Sequence, residues 1–145
     1  MARKEDIEMA EAYLRRIGFD NTIGYLCQGI KGWRNSGRAI GSLGTLSAAG
    51  LKERLERNEI ALLDVREEYE WNDGHIEGAK MIYVGHLKED ADRLPRDKPM
   101  AVICASGDRG SLGASILRNK GFEGVCNILG GMNAWESSGY PVIKG

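Results

Sequence analysis

The sequence predicts an α/β fold, a doubly wound and mainly parallel sheet with helices on both faces. Three observations carry that expectation. The runs Ile60-Ala-Leu-Leu-Asp-Val65, Met100-Ala-Val-Ile-Cys104 and Val125-Cys-Asn-Ile-Leu129 are short and almost continuously apolar, as strands buried on both faces are. Helical segments separate them, so strand and helix alternate and right-handed crossovers can return each strand to one sheet. The 20 glycines against three prolines in 145 residues suit many tight strand-to-helix turns.

In chain order, residues 1–41 carry a helix, a strand at Thr22–Leu26 and a short helix. Ser47 is placed to cap a helix over Ala48–Arg57, because its hydroxyl can accept from a free N–H of the first turn. Ile60–Val65 is the next strand, and a short strand at Met81–Tyr83 follows the turn Gly74–Gly78. His86–Arg93 is amphipathic and ends at Pro95, which cannot continue a helix. Strand Met100–Cys104 leads to a helix over Ser111–Lys120 that stops at Gly121, and a last helix follows strand Val125–Leu129 after Gly130-Gly131.

A repeat divides the chain. Tyr13-Leu-Arg-Arg-Ile-Gly-Phe-Asp20 matches Ile116-Leu-Arg-Asn-Lys-Gly-Phe-Glu123, and after a one-residue gap Gly29-Ile-Lys-Gly-Trp33-Arg-Asn-Ser-Gly37 matches Gly131-Met-Asn-Ala-Trp135-Glu-Ser-Ser-Gly139, with eight identities in phase. Residues 1–41 therefore read as a partial repeat or linker, and 42–145 as a full domain. So short a segment can hardly bury a core alone, which leaves packing on the main domain, pairing between two chains as a homodimer through residues 1–41, or membership of an upstream domain.

Composition excludes several classes. With 42% hydrophobic and 28% charged residues the chain is neither disordered nor fibrous. Its apolar runs fall far short of the ~20 residues that span a bilayer, and Met1-Ala-Arg-Lys-Glu-Asp lacks the apolar core of a secretory signal, so no membrane and a cytoplasmic location are expected. A net charge of -1 gives no footprint for nucleic acid. Cys27, Cys104 and Cys126 are widely spaced without a Cys-x-x-Cys, so neither a metal site nor a disulfide framework is expected.

The chemistry concentrates in Cys104-Ala105-Ser106-Gly107-Asp108-Arg109-Gly110-Ser111, between a strand and a helix. A thiol at a helix N-terminus faces converging N–H groups and the positive end of the dipole, which favour a thiolate or a bound anion. Gly107 lets the backbone fold round the sulfur, and the planar fork of Arg109 suits anionic oxygens.

Several motifs stand in order over about residues 45–143: Leu63-Asp64-Val65-Arg66, Glu70, Gly74-His75-Ile76-Glu77-Gly78-Ala79, the cysteine loop, and Gly130-Gly131-Met-Asn-Ala-Trp135 with Gly139-Tyr-Pro141. In that order they resemble the rhodanese-like domains, which are sulfurtransferases. The resemblance implies a five-stranded parallel sheet and makes Cys104 the nucleophile that becomes a persulfide. Ala105, Ser106, Gly107, Asp108 and Arg109 would cradle the transferred sulfur, with Arg109 as anion anchor. The donor would be a small anion such as thiosulfate, or a low-molecular-weight persulfide; the acceptor a thiol, sulfite or cyanide; no cofactor is required. The chain departs from the family at Gly110, where serine often follows the arginine.

Cysteine phosphatases and arsenate-reducing enzymes resemble this loop but carry Cys-x5-Arg, whereas four residues separate Cys104 from Arg109 here, a cradle better fitted to one sulfur than to a phosphoryl group. A second reading is a non-catalytic sulfur-sensing or docking module of a larger sulfide-oxidising protein, which the presence of Cys104, Gly107 and Arg109 opposes. Arg16-Ile-Gly-Phe-Asp-Asn21 with Gly24-Tyr-Leu26 resembles the unit that links tandem rhodanese repeats to an upstream metallo-β-lactamase-fold domain in persulfide dioxygenases.

Asp64 and Arg66 end a strand at the edge where open α/β sheets bind ligands. Arg66 is expected to contact substrate or to pair with Glu70, while Asp64, Glu70 and His75 are expected to brace the loops. Cys126 reads as core, Cys27 as an adventitious or intermolecular thiol, Trp33 and Trp135 as packing residues, and Trp71 beside Tyr69 as rim.

Overall fold

The computed structural model describes residues 4–16 and 20–145. They fall into two compact units, Met1–Ser42 and Leu43–Gly145.

The first unit holds α1 (Lys4–Arg16) and α2 (Gly29–Asn35). Glu5 and Asp6 in the first turn of α1 and Arg15 and Arg16 in its last turn complement the helix dipole. Helix α2 has the geometry of the last helix of the chain, α7 (Gly131–Ser137). Each starts after a left-handed residue, Gln28 or Gly130, and each ends at a serine followed by a left-handed glycine. In each the tryptophan Nε1 donates 2.9 Å to a carbonyl six residues on, Trp33 to Ala39 and Trp135 to Pro141. Residues 17–19 of the first repeat match lie outside the described residues. The expected strand at Thr22–Leu26 does not form, and Ile23 is 94% exposed. Its counterpart around residue 126 is a strand only because it has neighbours to bond to, and the described residues of the first unit supply none.

The second unit is a five-stranded parallel sheet in the order β1 (Gly44–Leu46), β5 (Cys126–Ile128), β4 (Met100–Ile103), β2 (Ala61–Asp64), β3 (Lys80–Met81). Alternate strand residues feed two cores. The helices between the strands are α3 (Ala48–Glu56), α4 (Glu68–Asp73), α5 (Leu87–Asp90), followed by a 3₁₀ turn over Ala91–Arg93, and α6 (Asp108–Asn119). Leu63, Val65, Met100, Val102 and Cys104 join Leu87 and Ala91 of the α5 segment and Ala114 and Leu117 of α6 on one face. Leu62, Ala101, Ile103 and Ile128 join Leu51 of α3 and Met132 and Trp135 of α7 on the other. Helices thus cover both faces, as the apolar runs require. No helix among the described residues is long and apolar enough to cross a membrane.

Local chemistry sets the ends of the elements. The Ser47 hydroxyl accepts from Gly50 N–H at 3.1 Å and starts α3. Helix α6 begins at Asp108 rather than Ser111, because Gly107, at φ +113°, takes the left-handed turn that starts it. The cradle expected over 105–109 is therefore a short turn whose last two residues are already helical.

Candidate active site

Cys104 follows β4 at the C-terminal end of a central strand, where this class of sheet opens to ligands. Its side chain is 1% exposed, and its Sγ accepts a hydrogen bond from Gly107 N–H at 3.1 Å. The chain folds back on the sulfur within three residues, and the first N–H groups of α6, which have no partner inside the helix, lie at the same turn.

The loop is clamped from two sides. Met132 N–H donates to the Cys104 carbonyl at 2.8 Å and Asn133 N–H to the Ala105 carbonyl at 3.0 Å, so the start of α7 holds the loop backbone. Gly131 permits that approach: a Cβ there would collide with the Cys104 carbonyl and the Ala105 backbone. From β5, Asn127 Nδ2 donates to the Gly107 carbonyl at 3.0 Å. Its Oδ1 is buried without a partner and occupies the space a side chain at position 110 would need. Glycine rather than serine at 110 is thereby explained.

Arg109 lies in the first turn of α6 and reaches Glu70 of α4. Nη1 donates to Oε2 at 2.6 Å and Nη2 to Oε1 at 2.8 Å. Glu70 Oε2 also accepts from Glu67 N–H at 3.1 Å, half of a capping box that starts α4. The hydrogen bond from Arg109 is the main cause holding the Glu70 carboxyl below the ordinary glutamate range, against partial burial. The same bond holds the Arg109 guanidinium above its ordinary value. Arg109, expected as a free anion anchor, already has an anion.

Arg66 is corrected as well. It pairs not with Glu70 but with Asp64, through Nε at 3.0 and 2.9 Å and Nη2 at 2.7 Å, and Nη2 also donates to the Gly74 carbonyl at 2.7 Å. At 5% exposure, it ties the end of β2 to the turn at Gly74. Asp64 Oδ1 accepts Arg66 N–H at 2.9 Å, so both residues brace the backbone. His75 sits in the same layer: its ring stacks on Trp71 at 3.6 Å, its Nδ1 faces the Trp71 carbonyl at 3.1 Å, and its backbone pairs with Ile143. Trp71 is turned to His75, and Tyr69 is 73% exposed. Ser106 donates from Oγ to Asp108 Oδ2 at 3.0 Å, beside the mouth of the loop.

The loop thus brings together Cys104, Ala105, Ser106, Gly107, Asp108, Arg109 and Glu70, with Asp64 at the end of β2 and Arg66 and His75 in the segments that follow β2 and α4. Asn127 escaped the reading of the sequence. Its signal was one amide inside the apolar run Val125–Leu129 at the ligand edge of the sheet. Cys126 is buried, and its thiol is pushed up by that burial; Cys27 is exposed.

Residues 47–138 match the family of rhodanese-like domains. YtwF of Bacillus subtilis, named as a candidate sulfurtransferase, is 40% identical over 97 residues, spanning 66% of this chain and 93% of YtwF. The thiosulfate sulfurtransferase GlpE of Shewanella oneidensis is 29% identical over 93 residues, 64% of this chain and 92% of GlpE. Among solved structures, a rhodanese-related protein of Thermoplasma volcanium superposes with a TM-score of 0.66 at 34% identity, covering 70% of this chain and 99% of that one.

Proposed function

The chain belongs to the rhodanese-like domain family, and from that premise we propose that it is a sulfurtransferase that carries sulfane sulfur as a persulfide on Cys104. The observation that supports this reading most directly is the hydrogen bond from Gly107 N–H to Cys104 Sγ, at a loop whose backbone is clamped by α7 and β5. A thiolate in that turn meets N–H donors and the positive end of α6, so it is stabilised in the form that attacks sulfur.

Cys104 thiolate attacks the outer sulfur of the donor; a new S–S bond forms, the donor's S–S bond breaks, and its electron pair leaves on thiolate or sulfite. The same N–H groups then face the terminal sulfur of the Cys104 persulfide, which leaves on an incoming thiol, sulfite or cyanide as Cys104 thiolate is restored. Charge is held by backbone dipoles throughout, so neither step calls for a side-chain base. Intact-protein mass spectrometry after exposure to thiosulfate or glutathione persulfide tests the reading. One sulfur should be gained, lost again with cyanide, and absent in Cys104→Ser; no gain from either donor in folded protein would leave the loop as the scaffold of a docking module.

A further inference from the structure

The charges at the mouth of the loop are unbalanced. Glu70 and Asp108 are negative, Asp108 accepting from Ser106, and the cation Arg109 has both its terminal nitrogens on the Glu70 carboxylate. Glu70 cannot easily be exchanged for a substrate anion, because Oε2 is also held by Glu67 N–H in the capping box and the side chain is only 16% exposed. The neighbouring Arg66 is neutralised by Asp64. Once Cys104 is a thiolate, three negative groups stand against one guanidinium and the partial charge of one helix end.

Resting on the sulfurtransferase reading above, we infer that Glu70 is a specificity-determining residue, which makes the loop take sulfur from a persulfide, R–S–SH, in preference to the dianion thiosulfate. With a persulfide, Cys104–S⁻ and R–S–SH give Cys104–S–S⁻ and R–SH. The S–S bond of the donor breaks as the new one forms, and the proton passes from the transferred sulfur to the departing thiolate. The reacting atoms carry one negative charge throughout. With thiosulfate, Cys104–S⁻ and S–SO₃²⁻ give Cys104–S–S⁻ and SO₃²⁻, and three negative charges must gather beside Glu70 and Asp108. A free Arg109 would offset the sulfonate; an Arg109 already bonded at both nitrogens does so weakly. Like charges brought together in a partly desolvated site cost enough to decide between donors. The carboxylates of a peptide persulfide such as that of glutathione lie several bonds from the reacting sulfur and can stay in solvent.

The test measures the rate at which Cys104 gains sulfur, by rapid mixing and intact mass, with thiosulfate and with glutathione persulfide in wild type, Glu70→Gln and Glu70→Asp. Wild type should load faster from the persulfide by about tenfold or more at equal concentration, and Glu70→Gln should raise thiosulfate loading about tenfold while moving the persulfide rate less than about threefold. Glu70→Asp, which keeps the charge, should keep the preference. Raising salt to about 0.5 M should speed thiosulfate loading of wild type, because screening relieves like-charge repulsion. Faster wild-type loading from thiosulfate, or a donor ratio unchanged in Glu70→Gln, would overturn the inference. If Glu70→Gln does not fold, the wild-type salt series decides, and a flat or falling thiosulfate rate overturns it. Failure of the underlying reading looks different, since neither donor would then place sulfur on wild-type Cys104.

Discussion

Asn127 and Gly110 occupy one space: the buried Oδ1 of Asn127 lies where a Cβ on Gly110 would be, while its Nδ2 holds the Gly107 carbonyl at 3.0 Å. The amide of a core strand thereby fixes the peptide next to the one whose N–H reaches the Cys104 sulfur. Asn127→Ala should cost about 1–3 kcal/mol by leaving the buried Gly107 carbonyl unpaired. Gly110→Ala should cost a similar amount, about 1–3 kcal/mol, by overpacking against Asn127 Oδ1 and the Val102 carbonyl. Combined, the two should cost less than their sum, with a coupling of about 0.5–3 kcal/mol, because removing the amide opens room for the methyl. Urea titrations of the four proteins check this, and strict additivity would separate the two residues.

Gly131 and Gly139, at opposite ends of α7, give a contrast. Gly131 has φ +54° and packs against the Cys104 and Ala105 backbone, whereas Gly139, at φ +71°, has open space where a Cβ would stand. Gly139→Ala should cost only the left-handed strain, about 1–2 kcal/mol. Gly131→Ala adds a collision and loosens the bonds from Met132 and Asn133, so it should cost more and also speed alkylation of Cys104 in native protein. Equal denaturation midpoints for the two variants would contradict the clamp.

Strands that are apolar on both faces could be read directly, which is why β2, β4 and β5 lie within a residue or two of the runs that announced them. By contrast, β1 is three residues long, Gly44-Thr45-Leu46, and exists through its pairing with β5, a relation between distant residues that no local pattern carries. Thr22–Leu26 failed in the opposite way, since it copies the local pattern but lacks the partners. The thiol and its glycine were legible because a nucleophile at a strand-to-helix turn has a local signature. The partner of Arg66 was not. Glu70 and Asp64 are both near in sequence, and the choice between them was made by Arg109, which comes from 39 residues away and takes Glu70.

That choice has a consequence at low pH. Glu70 is held below the ordinary glutamate value of about 4.3, chiefly by Arg109, so it binds fewer protons folded than unfolded. Its contribution to stability is therefore complete above the ordinary value, and is lost as pH falls through that value to the lowered folded one. Glu70→Gln should be less stable than wild type at pH 7, and the gap should close below about pH 4. Since Arg109 is one-third exposed, salt should narrow the gap at pH 7 too. Urea titrations from pH 7 to pH 3 measure this, and parallel curves would show that the ion pair adds nothing.

The three cysteines separate by environment, and this sets which can take part in sulfur transfer. Cys104 belongs to the core on the α5 and α6 face, Cys126 to the core on the α3 and α7 face, so the sheet lies between their side chains. Burial pushes the Cys126 thiol up, which keeps it protonated at neutral pH and a poor nucleophile. Cys126→Ala should therefore leave the rate and extent of sulfur gain on Cys104 unchanged, at a stability cost of about 1 kcal/mol for the small cavity. In native protein, iodoacetamide should label exposed Cys27 while Cys126 stays unmodified until the protein unfolds, and peptide mapping of the alkylated chain distinguishes them. A folded Cys126→Ala that gains sulfur but no longer passes it to an acceptor thiol would make Cys126 a resolving thiol, and would require the sheet to open between the two faces during turnover.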